Sequence, residues 1–159
     1  MGIKNLKRQI KKYKNMSNGK SWREKIEGEH PSHGKIVKIL IPKPIDVDAL
    51  MRQISEGNLV TDEQIRNRLA RDNKADATCS KVTGIFIRIA AEAAEEDLQN
   101  GKKQITPYWR VIAKDGSLKP KFPGGIDHQK KLLEKEGHKV IQKGKKYFVV
   151  DFEKSLVKL

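Results

Sequence analysis

The chain has little of what marks secreted and membrane proteins. Its 159 residues include one cysteine, Cys79, so no disulfide bond can form within the chain. No apolar run approaches the ~20 residues that a membrane-spanning helix needs, and the first residues lack the apolar stretch of a signal peptide. We therefore expect a cytoplasmic protein with no membrane partner.

Negative charge is scarce as well, except in the middle of the chain. The net charge is +14. Residues 1–45 contain 12 Lys and Arg against 3 Asp and Glu, residues 46–100 contain 7 against 11, and residues 101–159 contain 15 against 6. Basic segments on both sides of an acidic centre favour a polyanion such as nucleic acid as the partner. The alternative is a basic surface that serves solubility alone.

The composition of the chain changes near residue 44. Residues 1–44 are basic and poor in large apolar side chains, and we expect an extension of which part has no fixed structure. Apolar residues between Ile3 and Tyr13 have roughly the spacing of a short amphipathic helix. Residues 45–159 are long enough to form one compact domain with its own core, which we expect to be monomeric.

Three helices are predicted in the first half of that domain. Asp46 can cap the first, and Gly57 can end it. Thr61 and Gln64 have the spacing of a capping box, which marks the start of the second. The third extends from about Ser80 to Asn100, and its predicted buried stripe consists of Val82, Ile85, Phe86, Ile89 and Ala93.

Shorter elements follow in the second half. The pattern predicts a strand at residues 109–113, a short helix after Asp127, and a C-terminal hairpin around Gly144. Helices first and a small hairpin last indicate an α+β, mainly helical fold. We expect a winged helix-turn-helix-like domain with a small C-terminal β-hairpin.

One ordered set of motifs supports a family resemblance. Ile105-Thr106-Pro107-Tyr108-Trp109-Arg110-Val111-Ile112 is followed by Asp115-Gly116, Phe122-Pro123-Gly124-Gly125 and Leu132-Leu133-Glu134-Lys135-Glu136-Gly137. This order resembles the DNA-binding half of the methylated-DNA–protein-cysteine methyltransferases, which repair alkylated guanine and carry Pro-Cys-His-Arg-Val. Tyr108 stands at the position of their acceptor cysteine and Trp109 at that of their histidine. The chain is therefore similar to the alkyltransferase-like subgroup, which lacks the acceptor.

The resemblance implies a site for a base that is rotated out of the duplex. Its pocket would include an open slot between Tyr108 and Phe122. The implied pocket residues are Tyr108, Trp109, Arg110, Phe122, Pro123, Gly124 and Gly125. The implied DNA-binding residues are Thr61, Arg66, Arg68, Lys81 and Gly84, and the implied hinge or structural residues are Asn100, Pro107 and Glu136.

Two positions in this set have an alternative interpretation. Lys81 stands where the family has an arginine that fills the gap in the base stack, but it can also be an ordinary exposed lysine, since an ammonium group stacks poorly. Asp62 replaces a tyrosine, and a carboxylate there would repel DNA. An acidic side chain in the first turn of a helix is also favourable by itself.

The residues available for chemistry argue against an enzyme. A phenol with a pKa near 10 is a weak nucleophile at neutral pH, and Trp109 cannot act as its base. Cys79 lies near a predicted helix N-terminus, but no histidine is close in sequence, so we expect a packed thiol rather than an acceptor. His30 and His33 alone are a weak metal signal, and we predict neither a metal nor a cofactor.

The sequence is compatible with two main functions. The first is a non-enzymatic DNA-binding protein that recognises alkylated or altered guanine by base flipping and marks it for repair. Its partners would be double-stranded DNA and other repair proteins. The second is a general nucleic-acid or protein-interaction module that kept the fold without lesion recognition. A third, weaker reading is alkyl transfer through Cys79.

Overall fold

The computed structural model describes residues 37–159. The apolar residues between Ile3 and Tyr13 and the pair His30 and His33 lie outside these residues. Residues Lys38–Leu159 form a compact unit. No helix within residues 37–159 combines the length and the apolar character that crossing a membrane requires.

Four helices of 9 to 20 residues and six strands of two to four residues make up the described chain, which confirms the predicted α+β, mainly helical class. The strands form three two-stranded sheets: β1 with β3 and β2 with β4 are parallel, and β5 with β6 is an antiparallel hairpin. In chain order the elements are β1 (Ile39–Leu40), α1 (Pro44–Arg52), β2 (Val60–Thr61), α2 (Asp62–Asp72), β3 (Ala77–Thr78), α3 (Ser80–Gln99), β4 (Val111–Ile112), α4 (Gly125–Lys135), β5 (Val140–Lys143) and β6 (Lys146–Val149).

The start of α2 is as the sequence predicts. The Thr61 hydroxyl accepts a hydrogen bond from the Gln64 amide at 3.1 Å, and the Gln64 side chain accepts one from the Thr61 amide at 2.9 Å. This capping box satisfies amide groups that a helix end otherwise leaves unpaired. Val60 before it and Ile65 within the helix are both fully buried. The box therefore fixes where α2 begins and how its apolar face enters the core.

The buried face of α3 differs from the prediction. Ile85 is 48% exposed, Ile89 is 51% exposed and Ala93 is exposed as well, so these three do not belong to the core, while Val82 and Phe86 are half-buried. The side chains that are buried are Thr83, Ile87, Ala90, Ala91 and Ala94. The alanines let α1 approach closely, and Val47, Leu50 and Met51 of α1 fill the same core. Close packing on a small-residue face thus leaves two isoleucines of α3 outside.

A second core lies under the C-terminal hairpin. It contains Leu59, Ile112, Leu118, Leu133, Val140 and Val149. The strand predicted at residues 109–113 is shorter than expected, because residues Tyr108–Arg110 form one turn of 3-10 helix before β4. The antiparallel hairpin is confirmed, with Val140 opposite Val149. It packs against α4 through this second core, and a hairpin beside helices is compatible with a winged helix-turn-helix.

Candidate nucleic-acid interface

A cavity of about 470 Å³ lies between the first half of α3 and the loop before α4. Its lining combines four cationic side chains with apolar ones and includes no carboxylate. These residues are Ser80, Lys81, Gly84, Ile85, Ile87, Arg88, Lys119, Pro120, Lys121 and Phe122. A basic cavity with an aromatic wall suits a flat, electron-rich group attached to a polyanion.

The helical repeat of α3 places its cavity-lining side chains next to one another. Lys81, Ile85 and Arg88 are spaced by four and three residues, so they are neighbours on one exposed face. Further along that face, Glu92 and Glu96 are exposed and form no ion pair within residues 37–159. The exposed face of α3 therefore changes from basic to acidic between Arg88 and Glu92.

The opposite wall is held by a fully buried glutamine. The Gln129 side chain accepts a hydrogen bond from the Lys119 amide at 2.8 Å and donates to the carbonyls of Trp109 and Val111 at 3.1 and 3.0 Å. These contacts join α4, the 3-10 turn and the loop at residues 119–122. The loop thus has a fixed position beside α3 before any ligand binds.

Asp62 also contacts this loop. Its carboxylate lies 2.5 Å from the Lys119 ammonium, and both side chains are about one quarter exposed. The same carboxylate accepts from the Glu63 amide at 2.9 Å, as an acidic residue in a helix's first turn can. The predicted repulsion of DNA by Asp62 is therefore weakened, because its charge is paired with Lys119.

Tyr108 is fully buried and does not line the cavity. Its hydroxyl donates to Glu95 at 2.5 Å, and its ring meets Phe122 edge-on with centroids 5.4 Å apart. The expected open slot between Tyr108 and Phe122 is therefore wrong, since the two rings fill it themselves. Burial, with the neighbouring carboxylate of Glu95, raises the pKa of Tyr108 far above its ordinary value of 10.0. The phenol stays protonated and supports Phe122 from behind.

Trp109 and Arg110 face Glu136 rather than the cavity. Arg110 binds Glu136 through Nε at 3.0 Å and Nη2 at 2.6 Å, and the Trp109 indole donates to the same carboxylate at 2.8 Å. The Gly57 amide donates a further hydrogen bond at 3.3 Å. Burial alone would raise the pKa of Glu136, but these donors outweigh it and hold the pKa below its ordinary value of 4.5. Glu136 is thus a charged structural anchor.

The predicted DNA-binding residues occupy different surroundings. Lys81 and Gly84 line the cavity. Thr61 is buried, and its hydroxyl is used by the capping box. Arg68 pairs with Asp72 on α2 at 2.9 Å. Arg66 borders a separate, shallower cleft of about 660 Å³ against the hairpin side, which carries carboxylates and no aromatic residue.

The remaining predicted positions shape the chain. Asn100 is the C-cap of α3, and Pro107 precedes the 3-10 turn. After Phe122, Pro123 and Gly124 lead into α4, which begins at Gly125, and none of these three residues lines the cavity. Gly124 has a φ of +75°, and an added Cβ would lie 2.6 Å from the His128 Cβ. Only glycine combines that backbone conformation with so close a neighbour.

Several cavity residues carry no motif that marks them in the sequence. Arg88, Lys119 and Lys121 were not predicted, although Arg88 lies seven residues after Lys81, which is two helical turns. The lysines directly before Phe122 were a second available signal. Within residues 37–159 no three His, Cys, Asp or Glu side chains are grouped as a metal site would require.

Comparisons with known proteins identify the family and the fold. The family model described as 6-O-methylguanine DNA methyltransferase, DNA binding domain, matches residues 45–138. The fold is similar to the crystal structure of S. pombe Atl1 in complex with damaged DNA containing O6-carboxymethylguanine. That match has a TM-score of 0.50 and 18% identity, and it covers 73% of this chain and 94% of that chain. No curated protein matches the chain. The chain belongs to the family of the 6-O-methylguanine DNA methyltransferase DNA-binding domain.

Proposed function

We propose that this protein binds double-stranded DNA without catalysing alkyl transfer, and that it receives an altered guanine in the cavity between α3 and residues 119–122. The observation that carries the proposal is the lining of that cavity. It joins the Phe122 ring to Lys81, Arg88 and Lys121, which form no ion pair within residues 37–159, and to Lys119, which is paired with Asp62, in a domain of a DNA-binding family. Bound lesions would then be passed to other repair proteins, because the chain itself removes nothing.

The size and chemistry of the cavity support a base as the occupant. Its volume of about 470 Å³ falls within the range of small-molecule sites, about 300–1,000 Å³. Pro120 and Ile85 offer exposed apolar contact to a flat ring, and Phe122, which is only 5% exposed, forms the floor beneath them. Lys81, Arg88 and Lys121 can bind the flanking phosphates. The separate cleft beside Arg66 lacks an aromatic wall, so it fits phosphate better than a base.

Selective binding to modified duplexes is the direct test. We expect tighter binding to a duplex with one O6-alkylguanine than to the plain duplex, measured by fluorescence anisotropy. If about six phosphates are neutralised, log affinity should fall with log salt with a slope of about −5 for both duplexes. Arg88→Gln should reduce that slope by about one, while Arg68→Gln, whose guanidinium is paired with Asp72, serves as the matched control.

The competing function is a general nucleic-acid module, and the closed contact between Tyr108 and Phe122 favours it. Equal affinity for modified and plain duplexes at every salt concentration would establish that alternative. Phe122→Leu separates the two further. For the proposed function this change should weaken binding to the modified duplex about 10-fold, since base–aromatic stacking contributes about 1–3 kcal/mol, and should leave plain DNA unaffected.

Absence of alkyl transfer is a second prediction. After incubation with O6-methylguanine DNA, intact-mass analysis should show no added methyl group on wild type or on Tyr108→Cys. A cysteine at position 108 would be buried. Trp109 occupies the position of the histidine that would take its proton, and Glu136 is bound to Arg110, so the thiol would not be activated. Cys79 is half-buried at the N-cap of α3 and should also stay unmodified. An adduct on Cys79 in the wild type would make the protein an enzyme.

A further inference from the structure

Ile85 is an exposed isoleucine on the basic face of α3. It is 48% exposed and lies between Lys81, four residues before it, and Arg88, three residues after it. All three side chains border the cavity. An apolar side chain between two cations is placed against the duplex when those cations contact phosphate. Its position at the edge of the cavity sets it beside the base that would leave the stack.

The backbone next to Ile85 allows close approach. Gly84 is exposed, and an added Cβ there would meet no atom within 4 Å. The duplex can therefore come near the helix backbone at this turn. Ile85 is also β-branched, so its χ1 is restricted in a helix and it projects as a stiff group. Lys81 has a flexible stem and a strongly hydrated ammonium group. This group would lose more hydration free energy than the Ile85 side chain on entering a base stack.

We propose that Ile85 is the wedge that fills the gap left by the extruded base, while Lys81 binds phosphate beside it. The inference rests on the proposed function of the cavity. Apolar side chains inserted between base steps stabilise unstacked DNA in minor-groove binding proteins. Ile85 thus sets how readily a guanine leaves the stack, and the cavity beyond it receives that guanine.

Matched substitutions and a gap-filling nucleotide test this assignment. Ile85→Ala should weaken binding to an O6-methylguanine duplex about 10-fold and leave binding to the plain duplex unchanged. Ile89→Ala is the control, since Ile89 is 51% exposed one turn further along and borders a different cavity, between α1 and α3. A pyrene nucleotide opposite the lesion fills the gap itself, so it should restore the affinity of Ile85→Ala.

The outcomes are separable. If Lys81→Ala, and not Ile85→Ala, loses affinity and is rescued by pyrene, Lys81 is the wedge and the inference is wrong. Equal losses for Ile85→Ala and Ile89→Ala, or a loss that pyrene does not restore, would also overturn it. If the wild-type protein binds modified and plain duplexes equally, the proposed function itself fails. That result comes from the wild-type protein alone, so it is distinguishable from a failure of the Ile85 assignment.

Discussion

Arg110→Met should lower the free energy of unfolding by about 3–5 kcal/mol, which is the usual cost of removing one partner of a buried ion pair. The side chains of Arg110 and Glu136 are 13% and 7% exposed, so the remaining carboxylate would be buried without its main donor. Arg110 also donates to the Ile54 carbonyl at 2.5 Å, and that acceptor would lose its partner as well. Urea denaturation measures the change.

Two further variants show whether the cost comes from an unpaired charge. Arg68→Met removes an arginine of α2 whose pair with Asp72 is one third to one half exposed, and it should cost about 0–1 kcal/mol. Arg110→Met combined with Glu136→Leu should recover much of the loss, because no buried charge remains. If the double variant is as unstable as Arg110→Met, the loss of unfolding free energy comes from lost packing rather than from an unpaired charge.

The pH dependence gives the same prediction a second readout. Because the pKa of Glu136 is lower in the folded protein than its ordinary 4.5, Glu136 stabilises the fold above that value. This contribution is lost as the pH falls through the lowered pKa. Glu136→Gln should lack it. The stability difference between wild type and Arg110→Met should be largest at neutral pH and smaller near pH 4, where the unpaired carboxyl can be protonated.

Tyr108→Ala is expected to cost a similar amount, about 3–5 kcal/mol, as for other large aromatic side chains removed from a core. Tyr108 is fully buried between Trp109 and Phe122 and donates to Glu95. Tyr108→Phe keeps the ring and removes only the hydroxyl, so it should cost about 1.5–3 kcal/mol, typical of a hydrogen bond to a charged group. Thermal unfolding of the three proteins separates the two contributions.

DNA binding by these variants tests whether the base enters the cavity beside α3. Because Tyr108 supports Phe122 from behind, Tyr108→Phe should keep wild-type selectivity for modified DNA at temperatures where it is folded. Selectivity lost in a folded Tyr108→Phe would mean that the hydroxyl itself contacts the base, and that the cavity beside α3 is not where the base goes.

Local signals in the sequence predicted the start of α2 correctly but not the limits of α1, whose N-cap is Lys43 rather than Asp46 and which ends at Arg52, before Gly57. The capping box at Thr61 and Gln64 involves residues three apart, so it can be read without knowing the fold. The face of α3 could not be read in the same way. Apolar residues lie on two sides of this helix, and only packing against α1 decides that Ala90 and Ala94 enter the core while Ile89 stays outside.

The predicted site residues separate for the same reason. Arg110 pairs with Glu136, 26 positions away, and Lys119 pairs with Asp62, 57 positions away. No local pattern shows such partners, so the sequence placed Arg110 in the pocket and left Lys119 out. Lys81, Gly84 and Phe122, which the family resemblance indicated, do border the cavity. Their contacts with DNA stay a prediction.

The reversal of charge along α3 limits how a duplex can lie on this protein. Phosphates attracted by Lys81 and Arg88 would meet Glu92 about one turn after Arg88, at a distance where screening by salt is incomplete, and Glu96 one turn further on. DNA that followed the helix axis would carry its backbone onto those carboxylates. A duplex that binds this face is therefore expected to cross α3 near its N-terminal end rather than to follow the helix axis.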